Sequence, residues 1–106
     1  MYVMVERQHD RVVVPMPVIL ECTSGRREVR VADLSTGGCY VDSIAPVQPE
    51  EAVCLKLLLP NDSTETLYGT VVYVHHGIGF GVQFNDMSCE QQTILEQLVL
   101  LNGGKI

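Results

Sequence analysis

The chain has 106 residues, 46% of them hydrophobic, and a formal charge of −6 from seven Lys and Arg against thirteen Asp and Glu. That is the length of one domain, with enough apolar material for its own core. The acidic balance excludes general nucleic-acid binding, which draws on a broad cationic surface, and leaves a small anionic ligand possible where cations are locally concentrated.

They are concentrated. Arg7, Arg11, Arg26, Arg27 and Arg30 supply five of the seven cations, whereas most acids follow position 30. The opening Met1 to Val5 is too short for a signal-peptide core, and no later apolar run approaches the ~18 residues of a membrane helix. The expectation is a cytoplasmic protein without membrane insertion. Cys22, Cys39, Cys54 and Cys89 form no C-x-x-C pair; the first three fall in apolar alternating stretches and read as reduced core residues.

Residues 1–11 read as a flexible N-terminal arm carrying Arg7-Gln8-His9-Asp10-Arg11. Val12 to Pro17 is apolar but interrupted by two prolines, which permits extended, edge-like backbone leading into a first strand, Val18 to Cys22. Thr23-Ser24-Gly25 makes a hairpin turn; Arg26, Arg27 and Arg30 beside it read as a solvated face. Val29 and Val31 then alternate with Glu28 and Arg30 in a half-buried strand that delivers Asp33. Asp33-Leu34-Ser35-Thr36-Gly37-Gly38 is a polar turn, and Cys39 to Ser43 a third strand.

Ile44 to Glu51 is a proline-punctuated connection. Ala52 to Leu59 is a fourth strand, Pro60 to Ser63 a turn, Leu67 to Val74 a fifth strand, His75-His76-Gly77 a turn and Ile78 to Phe84 a sixth strand. Six short strands at hairpin spacing predict a closed or nearly closed antiparallel barrel. Ser88-Cys89-Glu90-Gln91 fits a capping box, and Ile94, Leu95, Leu98 and Leu101 recur at helical spacing until Asn102-Gly103-Gly104 stops a helix over 88–101. That helix is expected to plug or pack on the barrel.

Two segments carry chemistry. Arg7 and Arg11 present two guanidinium forks four residues apart, suited to phosphates and to the O6/N7 edge of guanine. The turn offers a carboxylate at Asp33, hydroxyls at Ser35 and Thr36, and two glycines that permit close backbone approach. Arg-x-x-x-Arg alone is a weak pattern and Asp-x-Ser-x-x-Gly alone a moderate one, since ordinary turns favour the same residues. In this order, followed by Gly81-Val82-Gln83-Phe84 and a closing helix, they are far more specific.

Arg7, Arg11, Asp33, Ser35 and Gly38 make the chain resemble the PilZ domain family, bacterial receptors for cyclic di-GMP. The resemblance implies an all-β, six-stranded antiparallel split barrel with a C-terminal helix, spanning 12–106 behind the arm. It also implies a non-enzymatic receptor or adaptor that changes conformation on binding and signals to a downstream protein. Arg7 and Arg11 would grip phosphate and guanine, Asp33 would accept from the guanine Watson–Crick edge, Ser35 would bond phosphate or neighbouring backbone, and Gly38 would keep Cβ atoms out of the approach path. Gln8, Thr36 and Gly37 are accessory candidates, and no cofactor or metal is expected. Glu6 departs from relatives with a further arginine there, and with Asp10 bears on affinity and stoichiometry.

A PilZ-like module that binds only protein is the alternative. A cysteine enzyme built from Cys39, His75 and His76 is a remote one, because no spacing brings thiol, base and orienting group together. The adjacent histidines lack partners at metal-ligand spacing. Gly77-x-Gly79-x-Gly81 lies in a hairpin and strand, so it is no dinucleotide fingerprint.

Overall fold

The alternating stretches form six strands in the computed structural model, which describes residues 11–59 and 61–104. Arg7, Gln8 and the rest of the arm before Arg11 lie outside the described residues. In chain order the elements are β1 (Val12–Cys22), β2 (Gly25–Leu34), β3 (Gly38–Asp42), β4 (Ala52–Leu58), β5 (Thr64–His75), β6 (Gly79–Asn85) and α1 (Cys89–Leu101). The strands close into an antiparallel barrel in the order β1-β2-β3-β6-β5-β4, with β4 returning to β1. Closure gives every strand a partner on both sides over at least part of its length.

Period-two alternation sends one side chain in two to the axis. Leu20, Val31, Val41, Leu55, Val71 and Phe80, one from each strand, are buried there, and full burial of such a side chain is worth about 1.5–3 kcal/mol.

The prolines shape β1 without ending it. Its register against β2 shifts between Val13 and Met16, around Pro15. Its pairing with β4 covers only Val18 to Glu21, so the first half of the strand has one neighbour and the missing proline donors cost little there. β1 therefore starts at Val12, earlier than the apolar run from Val18 indicated. β2 and β5 also begin earlier than expected, at Gly25 and Thr64, because Glu21↔Arg26 and Leu58↔Thr64 pairing continues to the turns where both faces are wet. Arg26, Arg27 and Arg30 are exposed, with Arg26 and Lys56 both near Glu21.

Antiparallel order puts the starts of β1, β3 and β5 and the ends of β2, β4 and β6 at one end of the barrel, and α1 sits at that end. Its N-terminus is closed by a capping box: Ser88 Oγ accepts from Gln91 N at 3.1 Å, and Gln91 Oε1 accepts from Ser88 N at 3.2 Å. Gln91 Nε2 also donates to Glu65 and to the Thr66 carbonyl, tying the helix to the start of β5. Leu95, Leu98 and Val99 join the barrel core. Leu101, expected on that stripe, is 77% exposed. At ~100° per residue it points about 120° from Leu95, and Val99, about 40° from Leu95, takes the inner position.

At the other end, Ala45 and Val47 of the 43–51 connection are buried. Glu51 ties that connection to the first hairpin: its carboxylate accepts from Thr23 N at 2.9 Å and Gln48 N at 3.0 Å. The Thr23 backbone hydrogen bond, against a smaller desolvation effect, holds the Glu51 carboxyl below its ordinary value.

Candidate functional site

The loop between β2 and β3 lies at the helix end of the barrel. Leu34 pairs with Cys39, and the intervening turn closes through Ser35 N donating to Gly38 O at 2.8 Å. Ser35 Oγ accepts from Gly37 N and Gly38 N, both at 3.2 Å, and lies 3.3 Å from Gly38 O as a donor. One donor and two acceptor positions are thus spent on the loop's own backbone. The loop is pinned to β6 by Phe84 N donating to Gly37 O at 2.9 Å.

Gly38 has a packing reason to be glycine. A Cβ there would run into the Val82 carbonyl oxygen and stand 3.3 Å from Gln83 Cα, both in β6. Its missing side chain makes room for a neighbouring strand. Thr36 is 2% exposed, and its Oγ1 has no hydrogen-bond partner among the described residues.

Asp33 stands on the outer face beside this loop, just past a shift in the β2–β3 register between Val31 and Asp33. Because Val12 pairs with Leu34 and Val13 with Asp33, the residue preceding β1 is carried to the same place. Arg11 Nε and Nη2 both donate to Asp33 Oδ1, at 3.0 and 2.6 Å. Each side chain is 32% exposed. Two of the five signature residues, 22 positions apart, are thereby joined, and Asp33 Oδ2 accepts no bond among the described residues.

Three further residues extend the outer face. Asp33 pairs with Tyr40, Tyr40 with Gly81, and Gly81 with Tyr73, while His75 pairs with Gly79. The rings of Tyr40, Tyr73 and His75 form a cluster with centroids 5.0 to 6.2 Å apart. Tyr40 Oη lies 3.1 Å from His75 Nδ1. Desolvation, then Tyr73, Asp42 and Asp33, raises the Tyr40 phenol above its ordinary value, leaving it protonated and able to donate at neutral pH. The sequence signal for these residues was the outward phase of Tyr40, two positions past Gly38. Tyr73 was hidden, because a register shift between Val71 and Tyr73 resets the alternation of β5.

The residues weighed as catalytic parts face different surroundings. Cys39 is 1% exposed, and burial pushes its thiol up to about 12, so it carries essentially no thiolate at neutral pH. His75 belongs to the outer aromatic cluster, and His76 lies in the turn closed by Ile78 N donating to His75 O. Cys22 and Cys54 are only half-buried and Cys89 is exposed, so Cys39 alone of the four is a core residue as expected. Among the described residues, no three of His, Cys, Asp and Glu gather in a way that could hold a metal ion, and no helix is long and apolar enough to cross a membrane.

The family model of the PilZ domain matches residues 6–101. No curated protein matches the sequence. Among solved structures, the Bacillus subtilis inhibitor of motility MotI/DgrA is similar with a TM-score of 0.75 and 17% identity, over 90% of this chain and 50% of that one. The PilZ domain of CeSA from a cellulose-synthesizing bacterium gives 0.67 and 20%, over 86% and 95% of the two chains. The PilZ domain of Escherichia coli YcgR, solved with c-di-GMP, gives 0.72 and 14%, over 92% of each. The chain thus spans half the length of the first and nearly all of the other two; at these identities the likeness is one of fold.

Proposed function

The chain belongs to the PilZ domain family, and from that membership we propose that it is a cytoplasmic receptor for cyclic di-GMP that acts through a partner protein and performs no catalysis. The observation that supports this reading is the Arg11–Asp33 pair, which sets a guanidinium suited to phosphate beside a carboxylate suited to the donor edge of guanine on the outer face. The YcgR domain, of the same fold, was solved with c-di-GMP.

The energetics favour exchange of partners. A part-exposed ion pair contributes about 0–1 kcal/mol, whereas a charge-assisted bond to a ligand contributes about 1.5–3 kcal/mol. A phosphate therefore draws Arg11 from Asp33. The freed carboxylate accepts from the N1–H and N2–H groups of guanine. Arg7, four residues upstream, supplies a second guanidinium, with Gln8 beside it. Ser35, Thr36, Gly37 and Gly38 give the loop its shape, and Ser35 releases a bond only if the loop opens. Closing the segment before β1 over the ligand changes the outer surface, and that change is what the partner reads.

The test is calorimetric titration of cyclic di-GMP into the wild type, Arg11→Ala and Asp33→Ala. Saturable binding by the wild type, weakened about tenfold or more in each variant, is expected; tenfold corresponds to ~1.4 kcal/mol. A folded wild type that gives no saturable heat at micromolar ligand overturns the reading in favour of a protein-only module.

A further inference from the structure

The end of the barrel that α1 covers carries a second surface, across from the β2–β3 loop. In the strand order β1-β2-β3-β6-β5-β4, the β4–β5 turn is separated from that loop by β1 in one direction and by β6 in the other. Two hollows lie between the turn and α1, of about 380 and 540 Å³. Both fall in the ~300–1,000 Å³ range of binding clefts. They share Glu65 and Ile94, so they form one trough along the helix.

The floor of the trough is apolar. At ~100° per residue, Ile94, Leu98 and Leu101 lie about 60–120° to one side of the inward-facing Leu95. They recur at i, i+4 and i+7, and Leu59 faces them from the turn. Leu98 is 9% exposed and Leu101 77%, so the stripe climbs out of the core onto the surface. Burial within this domain accounts for Leu98 and not for Leu101.

The rim is acidic. Glu65 and Glu90 line the trough, and Asp62 lies in the adjoining turn. Glu65 accepts from the neutral Gln91 amide, and none of these three carboxylates meets a cation among the described residues. Neither α1 nor the 59–65 segment contains Lys, Arg or His. An apolar floor at helical spacing inside an acidic rim fits an amphipathic helix flanked by Lys and Arg. A second copy would set acidic rim against acidic rim, which disfavours self-association through this face.

We propose that the trough docks a cationic amphipathic helix of a partner protein, its apolar face on Ile94, Leu98 and Leu101 and its basic flanks against Glu65 and Glu90. At 1.5 Å per residue α1 is about 20 Å long, which accommodates roughly four turns of such a helix. The receptor reading calls for a partner, and this docking supplies the partner's chemistry. It makes no demand on Arg11 or Asp33, so the two readings fail separately.

The probe is a synthetic helix of about 14 residues, roughly four turns, with leucine on one face and lysine on the other. One control replaces lysine with glutamate; the other reorders the same residues so that no apolar face forms. Fluorescence anisotropy of the labelled Leu/Lys peptide should show saturable binding that weakens with added salt. The glutamate peptide should not bind, and the reordered peptide should bind at least about tenfold more weakly. Leu101→Ser should weaken binding about tenfold, and Glu90→Lys should weaken it about threefold or more and flatten its salt dependence. Ile78→Ser, the same kind of change at an exposed residue at the far end of the barrel, should leave binding unchanged. Absence of saturable binding overturns the docking, as does equal binding by the reordered peptide or by the Leu101→Ser and Glu90→Lys proteins; the receptor reading then stands on its own titration. A dimer in sedimentation equilibrium that Leu101→Ser dissociates would overturn the docking in favour of contact between two copies. Should Glu90→Lys fail to fold, Leu101→Ser and the three peptides decide.

Discussion

Replacing Gly38 with alanine separates the shape of the loop from its ligand chemistry. The new Cβ would meet the Val82 carbonyl oxygen and stand 3.3 Å from Gln83 Cα, and neither backbone atom can rotate aside. Relief requires β3 to move from β6 where Gly38 pairs with Gln83, and that movement strains the Gly38 N and O contacts to Ser35. Overpacking costs about 1–3 kcal/mol and the two weakened hydrogen bonds together about 1 kcal/mol, so the total is roughly 2–4 kcal/mol. With a urea m-value of ~1.5 kcal/mol/M, the unfolding midpoint should fall by about 1.3–2.7 M. Gly81→Ala meets first the ring of Tyr73, a side chain rather than backbone, and should cost about 1 kcal/mol. A Gly38→Ala protein with a midpoint within ~0.3 M of wild type would show that β6 does not crowd this position, and any loss of ligand would then have to come from direct contact.

On α1, Leu95→Ala should cost about 2–5 kcal/mol in chemical denaturation. Leu101→Ser should change stability by less than about 0.5 kcal/mol, and equal losses would contradict the assigned inner face. Burial and the raised Cys39 thiol predict that iodoacetamide labels exposed Cys89 first and leaves Cys39 unmodified until the protein unfolds, as peptide mass mapping would show. Glu51 has a lowered folded-state pKa, so its contribution is fully present above the ordinary carboxylate range and is lost as pH falls through the folded value. Thermal melts should therefore show Glu51→Gln less stable than wild type at pH 7, with the gap closing in acid; a gap that widens in acid would reverse the sign.

Much of the architecture was legible because it rests on short-range rules. Apolar, alternating and β-branched runs bounded by turn residues located all six strands, and Ser88 with Gln91 and Asn102-Gly103-Gly104 marked the ends of the helix. What escaped depends on longer-range geometry. The prolines concealed that β1 begins at Val12, because a strand paired on one side can do without their donors. Helical spacing alone admitted Leu101 to the apolar stripe, and only the barrel's position selects Val99 instead. At the site, the Asp-x-Ser-x-x-Gly motif was readable, but the reason for Gly38 was not, since the β6 carbonyl beside it comes from 44 residues later in the chain. Tyr73 was illegible for the same reason: its face depends on a register shift, and its neighbours on the β3-β6-β5 order of the closed barrel.

The most direct measurement is a titration of isotope-labelled wild type with cyclic di-GMP, followed by backbone and arginine side-chain NMR. The account predicts saturable shifts centred on the Arg11 guanidinium, the 33–38 loop and the Tyr40 and Tyr73 strands, with the β1–β2 hairpin turn unmoved. Saturable shifts confined to that turn or to the 43–51 connection, with the Arg11 resonance unchanged, would contradict it.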